Sequence, residues 1–266
     1  MVDGWGLASR KEAMLKDHSK RICTYFAVDF EPCLDARVAE AAERIRTQFE
    51  PEHVTATVPL SYLFRWPSQR YFATLDVRRF GWQSLGLAPW NDKLAEHLDM
   101  ISVGLDTVGA QDLRRIGFKV SAYLPLSMSH AELSDLMFGS FLASAQDLDC
   151  IFGEHVDPLL EMHGEKDGFK YVLMVTPMNP EQIANNFRQH RNLEHFLEDR
   201  FLDTAVKKFQ EGITNSDCLY FDIDLFQQKV SPDRLREFAK SSLAQAERMA
   251  DMCVRFLRSQ PIVEGE

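Results

Sequence analysis

The chain has 266 residues, enough for one large domain or two closely packed halves with a sizeable core. Thirty basic residues stand against 40 acidic ones, a formal net charge of −10, which disfavours nucleic acid as the default partner. The five cysteines are widely spaced with no C-x-x-C pair, so neither a disulfide framework nor a zinc motif is expected and a reducing cytoplasm is the natural setting. No apolar run reaches the ~18 residues of a membrane span, so no membrane association is expected.

Residues 1–20 are polar and mixed in charge, and read as a leader or short helix. From Ile22 the pattern changes: Ile22, Thr24, Phe26, Val28 and Phe30 alternate along a strand until Pro32. Leu34, Val38, Ala41, Ile45 and Phe49 then recur at helical spacing, predicting a helix over 34–49 that Glu50-Pro51 stops. Residues 54–66 alternate strictly and predict one long strand, placed near an edge because Pro59 lacks a ladder donor. A turn at Pro67-Ser68-Gln69 leads to a strand over 70–80, then a helix over about 91–101, and Gly104 to Gly109 is the expected boundary between halves.

The second half opens with a strand carrying Ile116, Phe118, Val120, Ala122 and Leu124. Ser129-His130-Ala131-Glu132 is a capping box, and Asn179-Pro180-Glu181-Gln182 a second helix start. A less regular stretch at 146–168 precedes a strand over 169–176, and helices are expected over 180–212. A strand over 218–226 leads through Pro232 to a long C-terminal helix over 232–258 and a tail at 259–266.

Ala73-Thr74-Leu75-Asp76-Val77-Arg78-Arg79-Phe80 lines up with Leu219-Tyr220-Phe221-Asp222-Ile223-Asp224-Leu225-Phe226. The expected fold is therefore α+β: tandem β-α-β-β-α units at 21–108 and 109–258, the second with the helical insertion 180–212, forming one or two antiparallel sheets covered by helices.

P-loop, G-x-S-x-G, G-x-G-x-x-G and H-E-x-x-H motifs are all missing from the sequence, which removes the usual support for nucleotide, nucleophile and zinc chemistry. No metal or cofactor is assigned. The enzyme alternative is Asp222 and Asp224, two apart on a strand and so on one face with Tyr220, joined by Asp76; such carboxylates suit Mg²⁺ or Mn²⁺, or acid/base work. Of the histidines, His190 and His195 are five apart, a poor match to one helical face, and His155 and His163 flank the irregular stretch. Cys23, Cys218 and Cys253 are expected to be buried inert thiols. Arg70, Arg78, Arg79 and Lys119, with Trp82 as a stacking face, are the candidate binding residues for a small anionic ligand or an acidic partner; a short single strand of nucleic acid is the testable outsider.

Val28-Asp29-Phe30-Glu31-Pro32, Val77-Arg78-Arg79-Phe80-Gly81-Trp82, Arg115-Ile116-Gly117-Phe118-Lys119-Val120 and Asp222-Ile223-Asp224-Leu225-Phe226 resemble landmarks of a sporadically distributed bacterial family of cytosolic proteins of this size, over about 22–258. That family has no established activity, so the resemblance transfers no catalytic residue. Its sporadic distribution implies a mobile module connected with defence or toxins. The unit order also looks like the small-molecule-binding domains of multidrug-responsive regulators. The leading expectation is a non-enzymatic binding or assembly protein, working with a protein partner or as a homo-oligomer through a cleft between the halves or a helical face.

Overall fold

A computed structural model describes residues 21–57, 60–66, 68, 71–85, 90–125, 128–141, 158–189 and 217–259. In chain order the elements are β1 (Arg21–Phe30), α1 (Asp35–Phe49), β2 (His53–Thr57), β3 (Ser61–Trp66), β4 (Tyr71–Asp76), β5 (Arg79–Leu85), α2 (Trp90–Val108), β6 (Leu113–Pro125), α3 (His130–Phe141), β7 (Leu160–Lys166), β8 (Phe169–Met178), α4 (Pro180–Gln189), β9 (Cys218–Val230) and α5 (Leu235–Ser259), the last preceded by a 3-10 turn at Pro232–Arg234. All nine strands form one antiparallel sheet in the order β2-β3-β4-β5-β1-β6-β9-β8-β7. The α+β class, the antiparallel sheet and the long C-terminal helix are as the sequence predicts.

Alternation decides which face of the sheet takes the helices. Phe26, Val28 and Phe30 of β1, Ile116, Phe118 and Val120 of β6, and Phe221, Ile223 and Leu225 of β9 are fully or almost fully buried on one face. There α1, α2, α3 and α5 close over them with Val38, Ile45, Leu98, Ile101, Leu133, Phe238 and Ala246 in the same core. Arg236 of α5 is ion-paired with Asp99 of α2, linking two of these helices at the surface. α4 lies across the opposite face, where the Tyr123 hydroxyl donates to the Ile183 carbonyl at 3.4 Å.

Both expected helix starts are reciprocal caps. Ser129 N–H donates to Glu132 Oε2 at 2.7 Å and Glu132 N–H to Ser129 Oγ at 3.3 Å. Asn179 N–H and Gln182 Oε1, and Gln182 N–H and Asn179 Oδ1, are each 2.9 Å apart.

Three expectations are corrected. The strand predicted over 54–66 is the hairpin β2–β3, with Thr57 paired to Ser61; Pro59 lies outside the described residues. Its alternation continues from β2 into β3 because both strands show apolar side chains to the same face. Gly104 is no boundary, since it lies within α2 and its missing side chain admits the Phe80 ring. The helix ends at Gly109, held at φ 79, with Ala110 N–H donating to the Leu105 carbonyl. Finally, 73–80 and 219–226 do not occupy matching places: the first spans the end of β4, a turn and the start of β5, the second is part of one strand. The leader, the tail, the 190–212 part of the insertion, Cys150, His155, His190 and His195 lie outside the described residues.

His97 of α2 is buried against two rings, its centroid 4.6 Å from Tyr71 and 4.4 Å from Trp82, both edge-on. Burial pulls its pKa down from 6.5 to about 4. The unfolded chain therefore takes up this proton first, and the contribution present above pH 6.5 is lost as pH falls toward 4, amounting to about 3 kcal/mol. Denaturant titrations of His97→Phe between pH 7 and 4 should show a flatter loss of stability than the parent. For Gly104→Ala, a helix-propensity gain of ~1 kcal/mol competes with an overpacking cost of ~1–3 kcal/mol against Phe80. Net destabilisation is expected in urea melts, and a smaller effect in a Phe80→Leu background.

Candidate functional site

The face away from the four core helices is built in rows across β5, β1, β6 and β9. One row reads Arg79, Asp29, Arg115, Gln228; the next Gly81, Ala27, Gly117, Phe226; then Gln83, Tyr25, Lys119, Asp224; then Leu85, Cys23, Ser121, Asp222. On β5, β1 and β6 the second row is almost without side chains, and the long groups of its neighbours lean over it. A Cβ on Gly81 would come within 2.8 Å of the Tyr25 hydroxyl oxygen, and one on Gly117 within 3.2 Å of the Arg115 guanidinium.

This lean sets the ion pairs. Arg79 forks onto the opposite Asp29, Nε to Oδ1 at 2.5 Å and Nη2 to Oδ2 at 3.1 Å. Arg115 reaches diagonally over Gly117, donating to both oxygens of Asp224 at 2.7 and 2.9 Å, with its guanidinium 4.7 Å from the Phe226 centroid. Lys119 pairs diagonally with Asp222 at 2.8 Å, and Asp222 also accepts from Ser121 Oγ at 3.0 Å. Burial raises the Asp224 carboxyl pKa despite the neighbouring Arg115; at Lys119 burial works to lower the pKa, but the nearby acidic groups, Asp222 first, together raise it.

Of the sequence candidates, Asp222, Asp224 and Tyr220 do share a face. Asp76 does not join them: β5, β1 and β6 separate its strand from β9, and its carboxylate accepts from the backbone of Arg78 and Arg79 at 2.7 and 2.8 Å, capping the β4–β5 turn. Asp222 and Asp224 each hold a cation, and among the described residues no group of three or more His, Cys, Asp or Glu is placed to hold a metal ion. Trp82 is corrected as a binding residue. It is 1% exposed on the helix face, against Tyr71 and His97, because β5 alternates and Arg79 and Gly81 take the other side. Arg78 is exposed in the turn, Arg79 and Lys119 lie on the open face, and Arg70 is outside the described residues.

The sequence places Arg114 and Arg115 with the strand cations, but does not connect Asp29, Lys170 and Lys229 with them. Where β1 ends, β6 begins and β9 ends, six cations gather: Arg78, Arg79, Arg114, Arg115, Lys170 and Lys229. Three pair with carboxylates, Arg79 with Asp29, Arg114 with Glu31 and Arg115 with Asp224. Arg78 and Lys229 are exposed, and Lys170 reaches the Gln228 amide at 3.0 Å. A hollow of about 460 Å³ lies beside them, lined by Lys170, Lys229, Gln227, Gln228 and Phe226, with Glu165 the acidic member. The landmark Arg115-Ile116-Gly117-Phe118-Lys119 carried the signal, as its odd positions all point to this face.

No family model matches the chain, and no curated protein matches it. Among solved structures, one similar chain is the Methanococcus jannaschii TBP, 8% identical, with 90% of this chain and 97% of that one covered at a TM-score of 0.28. A likeness at that score carries no argument about this protein. Among the described residues, no helix is long and apolar enough to cross a membrane.

Burial pushes the thiols of Cys23 and Cys218 up to about 12 and that of Cys253 to about 11. They are unreactive by both access and thiolate fraction. Alkylation at pH 8 followed by peptide mapping should modify half-buried Cys33 well before these three, which become labelled only in denaturant.

Proposed function

We propose that this is a non-enzymatic binding protein that engages an acidic segment of a protein partner at the cation-rich end of its open sheet face. The observation that carries the reading is the gathering of six cations there on a chain whose net charge is −10, with three of them not engaged by the carboxylates that hold the others. Arginine supplies planar, bidentate donors to a carboxylate, and Phe226 lends an apolar floor beside them. The neighbouring chemistry favours recognition over reaction: Asp222 and Asp224 are neutralised in place, and three of the thiols are buried. Such a surface contributes most to encounter and orientation, and its affinity falls with salt.

A labelled acidic peptide, a Glu/Asp-rich octamer, should bind at ~20 mM salt and weaken about tenfold or more by ~200 mM. Arg78→Glu/Lys229→Glu alters two exposed positions and should lower affinity by a further factor of about ten while leaving thermal unfolding unchanged. A short single-stranded oligonucleotide in parallel identifies a phosphate-backbone preference, which would redirect the reading to nucleic acid. Absence of peptide binding at low salt, or a double variant that binds like the parent, would show these cations to be a solvated sheet end.

A further inference from the structure

We infer that β2 is a self-pairing edge through which two copies of this chain join antiparallel about a twofold axis at Thr55, making one continuous sheet across a dimer. Among the described residues the sheet has two terminal strands, β2 and β7, and they are treated differently. β7 carries Glu161, Glu165 and Lys166, and antiparallel pairing of two β7 strands about His163 would set Glu161 opposite Glu165 of the other copy, twice. Like charges directly opposed destabilise a strand pair, and charged side chains are the usual protection of an open edge.

β2 lacks that protection. His53-Val54-Thr55-Ala56-Thr57 contains no Asp, Glu, Lys, Arg or Pro, three of its five residues are β-branched, and His53 to Ala56 are exposed. Its sequence also complements itself. A register centred on Thr55 puts His53 opposite Thr57 and Val54 opposite Ala56, and carries Glu52 past the end of the five-residue pair. Val54 is 37% exposed on the face toward the core helices, and it meets an apolar partner in this register. Because the patch pairs with itself, the contact closes at two copies. Addition of β2 to β7 would instead propagate, and the charges of β7 oppose it.

Five residues per strand is a small contact beside the ~1,200 Å² or more of stable interfaces, so the dimer is weak and dependent on concentration. Two bodies of net charge −10 repel, hence screening should strengthen the association. That salt dependence is opposite to the one expected for acidic-peptide binding at the cation-rich end of the open face, so either idea can fail alone.

Sedimentation equilibrium from ~5 to ~500 μM, at ~20 and ~300 mM salt, should show a shift from monomer to dimer that is larger at higher salt. Thr55→Glu gains a neighbour in Arg65, whose Nη2 lies 3.4 Å from Thr55 Oγ1, so the monomer should unfold as the parent does. It places two carboxylates on the twofold axis and should remain monomeric at all these concentrations. Thr55→Lys alone should do likewise, and an equimolar mixture of the two variants should form the mixed dimer. A parent protein that is monomeric throughout, a Thr55→Glu protein that dimerises like the parent, or a mixture that stays monomeric would each overturn the proposal.

Discussion

The pairing of β1 with β6 is the joint on which the rest of the structure depends. Its register sets Phe26 against Phe118 and Val28 against Ile116 on the helix side, and Ala27 against Gly117 on the other. A slip of one residue would turn Phe26, Val28 and Phe30 out of the core and bring Tyr25 and Asp29 into it, because side chains alternate along a strand. Every other strand is added outward from this pair, β5 to β2 on one side and β9 to β7 on the other. The helices then fit what the pair presents: the Phe238 ring of α5 packs 6.1 Å from that of Phe26.

The same register makes the open face. Small residues in the row Gly81, Ala27, Gly117 leave room in which Tyr25 and Arg115 lie flat, and lying flat is what brings Arg115 to Asp224 on the neighbouring strand. Electrostatics here is thus a consequence of packing. A partly buried cation beside a carboxylate is a stable arrangement only if the partner is within hydrogen-bonding reach, and the missing side chains provide that reach. These pairs also explain why two aspartates two residues apart are not a free carboxylate pair.

How much of this is legible in the sequence can be seen residue by residue. The strands β1, β6 and β9, the helix α1, and the caps at Ser129 and Asn179 follow from patterns confined to a few neighbouring residues, and the structure has them where those patterns put them. The shared face of Tyr220, Asp222 and Asp224 follows in the same way. The inward side of Trp82 follows equally from its alternation with Phe80, whereas the spacing of cations and a ring says nothing about which face of the strand the ring takes. The β2–β3 hairpin was hidden because alternation continues in phase across Pro59.

Sequence by itself therefore determined class, the faces of most strands, the caps and the long C-terminal helix, since period and capping are local properties of the chain. Tertiary structure alone decided neighbours. Arg115 and Asp224 are 109 residues apart, Ser121 and Asp222 are 101, and Asp29 and Arg79 are 50. Alternation says which way a side chain points but not which strand lies beside it. Strand order, set by how the helices cover one face of a single sheet, brought these groups together and left three strands between Asp76 and Asp222.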